Sequence, residues 1–387
     1  MPYFRSISML AAIGSLVFAG SACAPTFAGH SQVPGDTQDP PVANRTTASS
    51  PPLTPSSVAP SDTGPELWLH GIGDPQRLTS VSAHGVRLIL NVRKELSVTA
   101  MQQKIARLQS SGLGLVITIR WPDPTSRSKP VRLDTAPTTA EAKEITDTLM
   151  EVLNLPESKE MAGHLWVQFY NEVAGGPGTI MPEQADGMYQ FATKAAVRIR
   201  QQAPHIRIAG PALTSLDPLE SNPRSGSKAA LRREGLRRAI DWSIKNADAV
   251  DLHLHSSGGD DARRQLGQLR NALEKAGKPE MPIVSFEWSP ARFEARTTDL
   301  TGAQEAMRGI YEAMAEQHLL IAAYAAFADT ALKGTYEWAY LWDAQGHPHE
   351  PFFSLYKTLS EGNPPIPSDG NPASPTEEHS AEGRDQK

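Results

Sequence analysis

Between residues 65 and 360 the chain alternates two kinds of segment. Short apolar runs bounded by Gly, Pro or Asn are followed by longer stretches whose apolar positions recur at helical spacing. The runs predict eight strands, at Leu67–Gly71, Val86–Val92, Leu113–Trp121, Leu165–Asn171, Ile206–Ala212, Ala249–His255, Pro282–Trp288 and Leu319–Phe327. The amphipathic stretches predict helices over Thr99–Ser110, Thr138–Leu153, Pro182–Gln202, Ala229–Asn246, Asp261–Ala276, Thr301–Gln317 and Pro351–Leu359. Glu141 and Glu144 sit near the start of the second helix, where negative charge is favourable, and Pro182 falls at a tolerated first-turn position. Strands alternating with helices imply parallel pairing through right-handed crossovers. Eight of them over this length predict a (β/α)8 TIM barrel, an α/β fold of about 250 residues. The competing doubly wound sheet brings a Gly-rich turn after its first strand. His70-Gly71-Ile72-Gly73 lacks the third glycine and a clear following helix.

The flanks have a different character. Arg5, the apolar stretch Ile7–Ala19 and the small residues Gly20-Ser21-Ala22 read as a secretory signal peptide over residues 1–23. The apolar stretch is too short to span a bilayer as a helix. Cys23 follows at once, in a position that resembles the lipobox of bacterial lipoproteins, although Gly20 stands where Leu is usual. That resemblance implies lipidation of Cys23 and a membrane anchor, with ordinary cleavage nearby as the alternative. Residues 24–64 carry eight of the chain's 32 prolines among Ser, Thr and Ala, and residues 361–387 are similar. Neither stretch has enough apolar side chains to build a core, so both are expected to be disordered tails around one folded domain at 65–360. The expected location is therefore the bacterial cell envelope, the periplasm or the exterior.

Composition narrows the function classes. Lys plus Arg number 37 against 43 Asp plus Glu, for a net charge of −6, which argues against a nucleic-acid partner bound through bulk charge. A single cysteine excludes an internal disulfide. In a barrel the chemistry gathers at the C-terminal ends of the strands. Read in order, those ends carry Arg93, Trp121, Asn171-Glu172, His253-Leu254-His255 and Glu287-Trp288. Two carboxylates on strands four and seven would converge across the barrel mouth. A facing carboxylate pair is the working unit of glycoside hydrolysis.

Phe169-Tyr170-Asn171-Glu172 and Ser285-Phe286-Glu287-Trp288 resemble the strand-four and strand-seven motifs of clan A glycoside hydrolases. Leu341-Trp342-Asp343-Ala344-Gln345-Gly346-His347-Pro348 resembles a turn of the family 39-like members. The resemblance implies that Glu172 is the acid/base, that Glu287 is the nucleophile of a retaining mechanism, and that Asn171 binds the sugar 2-hydroxyl. It places Arg93 beside the nucleophile, with Arg87 as a rival. His255, Trp121 and Trp288 become candidate substrate contacts. No cofactor is implied, and the substrate is an oligo- or polysaccharide. One departure is that strand eight ends Tyr324-Ala325-Ala326-Phe327 without the usual Trp. Trp288 and Phe327 are candidate substitutes for it.

Two other classes remain open from the residues. The departure at strand eight allows a non-catalytic carbohydrate-binding lipoprotein on a degenerate barrel. His253 and His255, with Asp251 on the same strand face, also have the pattern of a zinc site. The run Arg232-Arg233…Arg237-Arg238 reads as a solvated helix face. Trp338 and Trp342 are further aromatic candidates.

Overall fold

The computed structural model describes residues 64–362 apart from 72, 122–134, 174–184, 215, 217–218, 220–223, 226, 291–299, 326–340 and 344–345. Its strands are β1 (Glu66–His70), β2 (Gly85–Asn91), β3 (Gly114–Arg120), β4 (Leu165–Phe169), β5 (Arg207–Ala209), β6 in two pieces (Val250–Asp251 and Leu254–Ser256), β7 (Ile283–Pro290) and β8 (Ile321–Tyr324). All neighbours pair in parallel, and β1 pairs with both β2 and β8. Parallel bridges Ala209–Ala249 and Leu213–Leu252 join β5 to β6 and complete the ring. The (β/α)8 barrel expected from the alternation is therefore the fold.

The outward strand positions, among them Leu67, Leu69, Leu88, Leu115, Ile117 and Val167, pack against the helices in one continuous apolar layer. The helices turn matching faces to it: Met101, Ile105 and Leu108 from Val98–Gln109, and Phe191, Ala195 and Ile199 from Ala185–Gln202. Their starts follow local chemistry. Thr138 and Glu141 form a reciprocal capping box ahead of Thr139–Leu153, and Ser97 and Ser227 cap two others. The short helix Pro75–Ser80, which the periodicity does not predict, is capped by Asp74 and begins on Pro75.

Inside the barrel a second, smaller cluster holds Trp68, Val116, Trp166, Val284, Phe286 and Ile321. Trp68 fills the N-terminal end, and this dictates two glycines. A Cβ on Gly114 would lie 2.3 Å from the Trp68 ring, and one on Gly85 would lie 2.7 Å from it. The last helix, Phe352–Ser360, is tied to the same strand: Tyr356 donates its hydroxyl to the Trp68 carbonyl at 3.0 Å. Above the apolar plug the interior turns polar, through Arg87, Thr118, Gln168, Asp251 and His253, all buried.

Gly114→Ala should overpack this plug and cost about 1–3 kcal/mol of unfolding free energy, read as a lower urea midpoint. An unchanged midpoint would show that Trp68 can move aside.

Candidate functional site

Strand alternation breaks at two places, and both breaks aim a carboxylate. At the end of β4, Phe169 faces the helices, and Tyr170 does so too, its ring edge-on to Phe191 at 6.4 Å. Tyr170 (φ 68°) and Glu172 (φ 48°) both take the left-handed backbone region, unusual for residues other than glycine. The two turns carry Asn171 and Glu172 over the barrel mouth. Such conformations cost on the order of 1–3 kcal/mol each and persist where the surroundings fix them. Here the fixing contacts are the Tyr170 packing and the polar partners of the next two side chains.

On β7 the register slips. Ser285 pairs with Ala322 and Trp288 with Tyr324, so three residues on β7 oppose two on β8. This is a β-bulge, a device that re-aims side chains beside functional sites. Before it, Ile283 packs outward and Val284 inward; after it, Trp288 packs outward and Glu287 turns into the mouth.

Arg87 links the two breaks. It is fully buried on β2, and each of its five N–H donors has an acceptor. Nε donates to Thr118 Oγ1 at 2.9 Å. Nη1 donates to Glu287 Oε2 at 2.9 Å and faces His70 Nδ1 at 3.3 Å. Nη2 donates to Gln168 Oε1 at 3.1 Å and to Asn171 Oδ1 at 2.5 Å. The Phe286 carbonyl also lies 3.4 Å from Nη1; guanidinium accepts nothing, so in any hydrogen bond between Arg87 and His70 it is His70 Nδ1 that accepts. Burial lowers the His70 pKa to about 3 and keeps it neutral. Asn171 spends its carbonyl on Arg87, so its NH2 is the group left to donate.

β6 supplies the third side of the cleft. His253 Nδ1 lies 3.1 Å from Glu172 Oε1 and 3.6 Å from Glu287 Oε2, while Nε2 faces Asp251 Oδ2 at 3.4 Å. Asp251 in turn accepts from Gln168 Nε2 at 2.5 Å and from the Phe286 amide at 2.8 Å. Burial alone would lower the His253 pKa, but the Asp251 and Glu287 carboxylates overcome it and lift it to about 9. His253 is therefore an imidazolium at neutral pH. Burial would raise Glu287, but His253 and Arg87 hold its carboxyl well below the usual carboxylate range. His255, 3.6 Å from Glu287 Oε1 through Nε2 and 2.8 Å from Ser289 Oγ through Nδ1, is held below its ordinary pKa by burial. One oxygen of Glu172, one of Glu287 and one nitrogen of each His lie within 4.8 Å of one another.

The structure thus brings together Glu172, Glu287, Asn171 and His255 from among the residues singled out in the sequence. It corrects two of the others. The arginine at Glu287 is Arg87, because β2 ends at Asn91 and Arg93 falls in the following short helix Val92–Glu95. The side chain of Arg93 lies outside the described residues. Trp288 is not a sugar platform: the bulge turns it outward, it is fully buried, and it packs on Tyr324 at 4.8 Å between ring centroids. Trp121, at the end of β3, is only 4% exposed and so offers little surface to a ligand. Cys23, Phe327 and Trp338 lie outside the described residues. Sequence reading missed His70 as a neighbour of the cleft, and Thr118 and Gln168 as the acceptors that hold Arg87. The available signal was a cation and polar residues at inward positions of otherwise apolar strands.

No protein-family model matches the chain, and no curated protein matches it. Among solved structures, a glucosidase from Croceicoccus marinus superposes with a TM-score of 0.57 at 14% identity, over 77% of this chain and 67% of its own. The GH39 enzyme from Xanthomonas axonopodis pv. citri gives 0.56 at 12%, over 78% of this chain and 67% of its own. A GH39 β-xylosidase from Caulobacter crescentus gives 0.54 at 15%, over 79% and 73%. At these identities the likeness is one of fold.

The raised pKa of His253 has a signed consequence. Its folded value of about 9 lies above the ordinary 6.5, so its stabilising contribution is full below pH 6.5 and is lost as pH rises through 9. The melting-temperature gap between wild type and His253→Gln should narrow between about pH 6.5 and about pH 9. A gap independent of pH would contradict this assignment.

Proposed function

We propose that the protein is a retaining glycoside hydrolase. The observation that carries the reading is the approach of Glu172 and Glu287 from β4 and β7, with one carboxylate oxygen of each within 4.8 Å of the other. Retaining enzymes hold their carboxyl groups about 5–5.5 Å apart, whereas inverting enzymes leave room for a water between them. The glycosidase neighbours in fold support the same reading.

In this mechanism Glu287 attacks the anomeric carbon. Arg87 keeps it ionised and fixes one of its oxygens, so the other is the attacking atom. Glu172 delivers a proton to the departing oxygen and then takes one from the incoming water. Asn171, its carbonyl anchored on Arg87, turns its NH2 to the sugar 2-hydroxyl. His255, at the more exposed edge of the cleft, contacts the substrate. The chemistry calls for no cofactor.

The leader at residues 1–23 and the tail that follows support export, anchoring through Cys23, and a glycan outside the cytoplasm as substrate. Metabolic labelling with an alkynyl fatty acid should mark the wild type and not Cys23→Ala.

Reducing-end release from a panel of bacterial and plant polysaccharides tests the activity. Wild type should release sugar from at least one member, and Glu287→Gln should not. Glu172→Gln should lower kcat about 10²–10⁴-fold on native glycans, and much less on aryl glycosides whose leaving group needs no proton. Glycan binding without release by wild type would instead identify a carbohydrate-binding protein.

A further inference from the structure

We propose that the cleft is also a zinc site, formed by Glu172, His253, His255 and Glu287. The four side chains come from three different strand ends, and each offers an N or O atom within 4.8 Å of every other. Zinc bonds to such atoms are about 2.0–2.2 Å, which sets neighbouring ligand atoms in a tetrahedron roughly 3.3 Å apart. Arg87 holds Glu287 Oε2, which leaves Oε1 for the ion, and the separations from His253 Nδ1 to Glu172 Oε1 (3.1 Å) and from His255 Nε2 to Glu287 Oε1 (3.6 Å) bracket that value.

The outer contacts carry the inference further than the distances do. In metal sites a ligating imidazole is held by a partner on its other nitrogen, often a carboxylate. Both histidines have this arrangement. His253 turns Nδ1 to the cluster, where zinc must displace the proton that the imidazolium carries there and release it to solvent, and Nε2 to Asp251 at 3.4 Å; Asp251 is itself fixed by Gln168 and the Phe286 amide. His255 turns Nε2 to the cluster and Nδ1 to the Ser289 hydroxyl at 2.8 Å. The inner nitrogens converge, while the outer ones face a carboxylate and a hydroxyl. Two imidazoles beside two carboxylates suit a borderline ion such as Zn²⁺ better than Mg²⁺ or Ca²⁺, which favour oxygen alone.

Zinc and carbohydrate exclude one another here, because the ion takes both carboxylates that hydrolysis needs. The site is thus inhibitory, a consequence that rests on the function proposed above; the binding itself does not rest on it.

The test is titration of the full chain with Zn²⁺ by calorimetry and with Co²⁺ by visible absorption, in a buffer that binds neither. One ion per chain should bind saturably, with the intense visible bands of tetrahedral Co²⁺. Glu172→Gln and His255→Ala should each weaken binding at least tenfold, and Ser289→Ala should weaken it about tenfold through the outer contact. A cooperative thermal melt for each variant establishes that it is folded. Absence of saturable binding to wild type, or affinity unmoved by both Glu172→Gln and His255→Ala, would overturn the proposal. Since titration needs no turnover, a protein that is inactive when freed of metal by a chelator but still binds zinc would refute the glycosidase reading alone.

Discussion

A buried cation with all five donors engaged is the constraint on which the rest of the cleft depends. Taking a guanidinium out of water costs several kcal/mol unless its charge and hydrogen bonds are met. Arg87 meets that requirement from four strands at once: Thr118 on β3, Gln168 and Asn171 at β4, Glu287 on β7 and His70 on β1. The same contacts that satisfy the arginine fix the two side chains that flank a bound sugar in the proposed mechanism. Arg87→Ala would therefore leave an uncompensated carboxylate as well as a cavity. The arginine is both structural and functional, and its two roles cannot be separated by a single truncation.

Around it, the charges form a graded system. Asp251 is buried and anchored by neutral donors, so it serves as the counter-ion that lets His253 stay protonated. His253 then stands as a cation between both glutamates. Glu287, with cations on two sides, stays ionised and suits attack. The two glutamates have different partners: Glu287 is held by Arg87, and Glu172 by His253.

Much of the fold was legible in the sequence because the outward face of every strand is apolar and the helices repeat with their own period. Leu115, Ile117 and Ile119 point to the helices and give the β3 run away. Asn171, Glu172 and Glu287 were legible as residues at strand ends. What was not legible were the breaks in alternation. The left-handed turns at Tyr170 and Glu172 and the bulge before Trp288 use ordinary residues, with no glycine to announce them. A regular β7 would point Trp288 into the mouth and Glu287 away from it, and the bulge reverses both. Arg93 follows the expected strand Val86–Val92 directly, but β2 ends one residue earlier, at Asn91, and Arg93 falls in the next helix. An arginine inside Val86-Arg87-Leu88-Ile89-Leu90 must have partners within the barrel, because a guanidinium is not buried alone.

The central claim is that Glu287 becomes covalently joined to a sugar. Incubation with a 2-deoxy-2-fluoro glycoside of the sugar that the polysaccharide panel identifies, followed by intact and peptide mass spectrometry, tests it most directly. The account predicts one fluoroglycosyl group per chain, mapped to Glu287. Label on another residue, or unlabelled protein that hydrolyses its substrate with inversion, would contradict it.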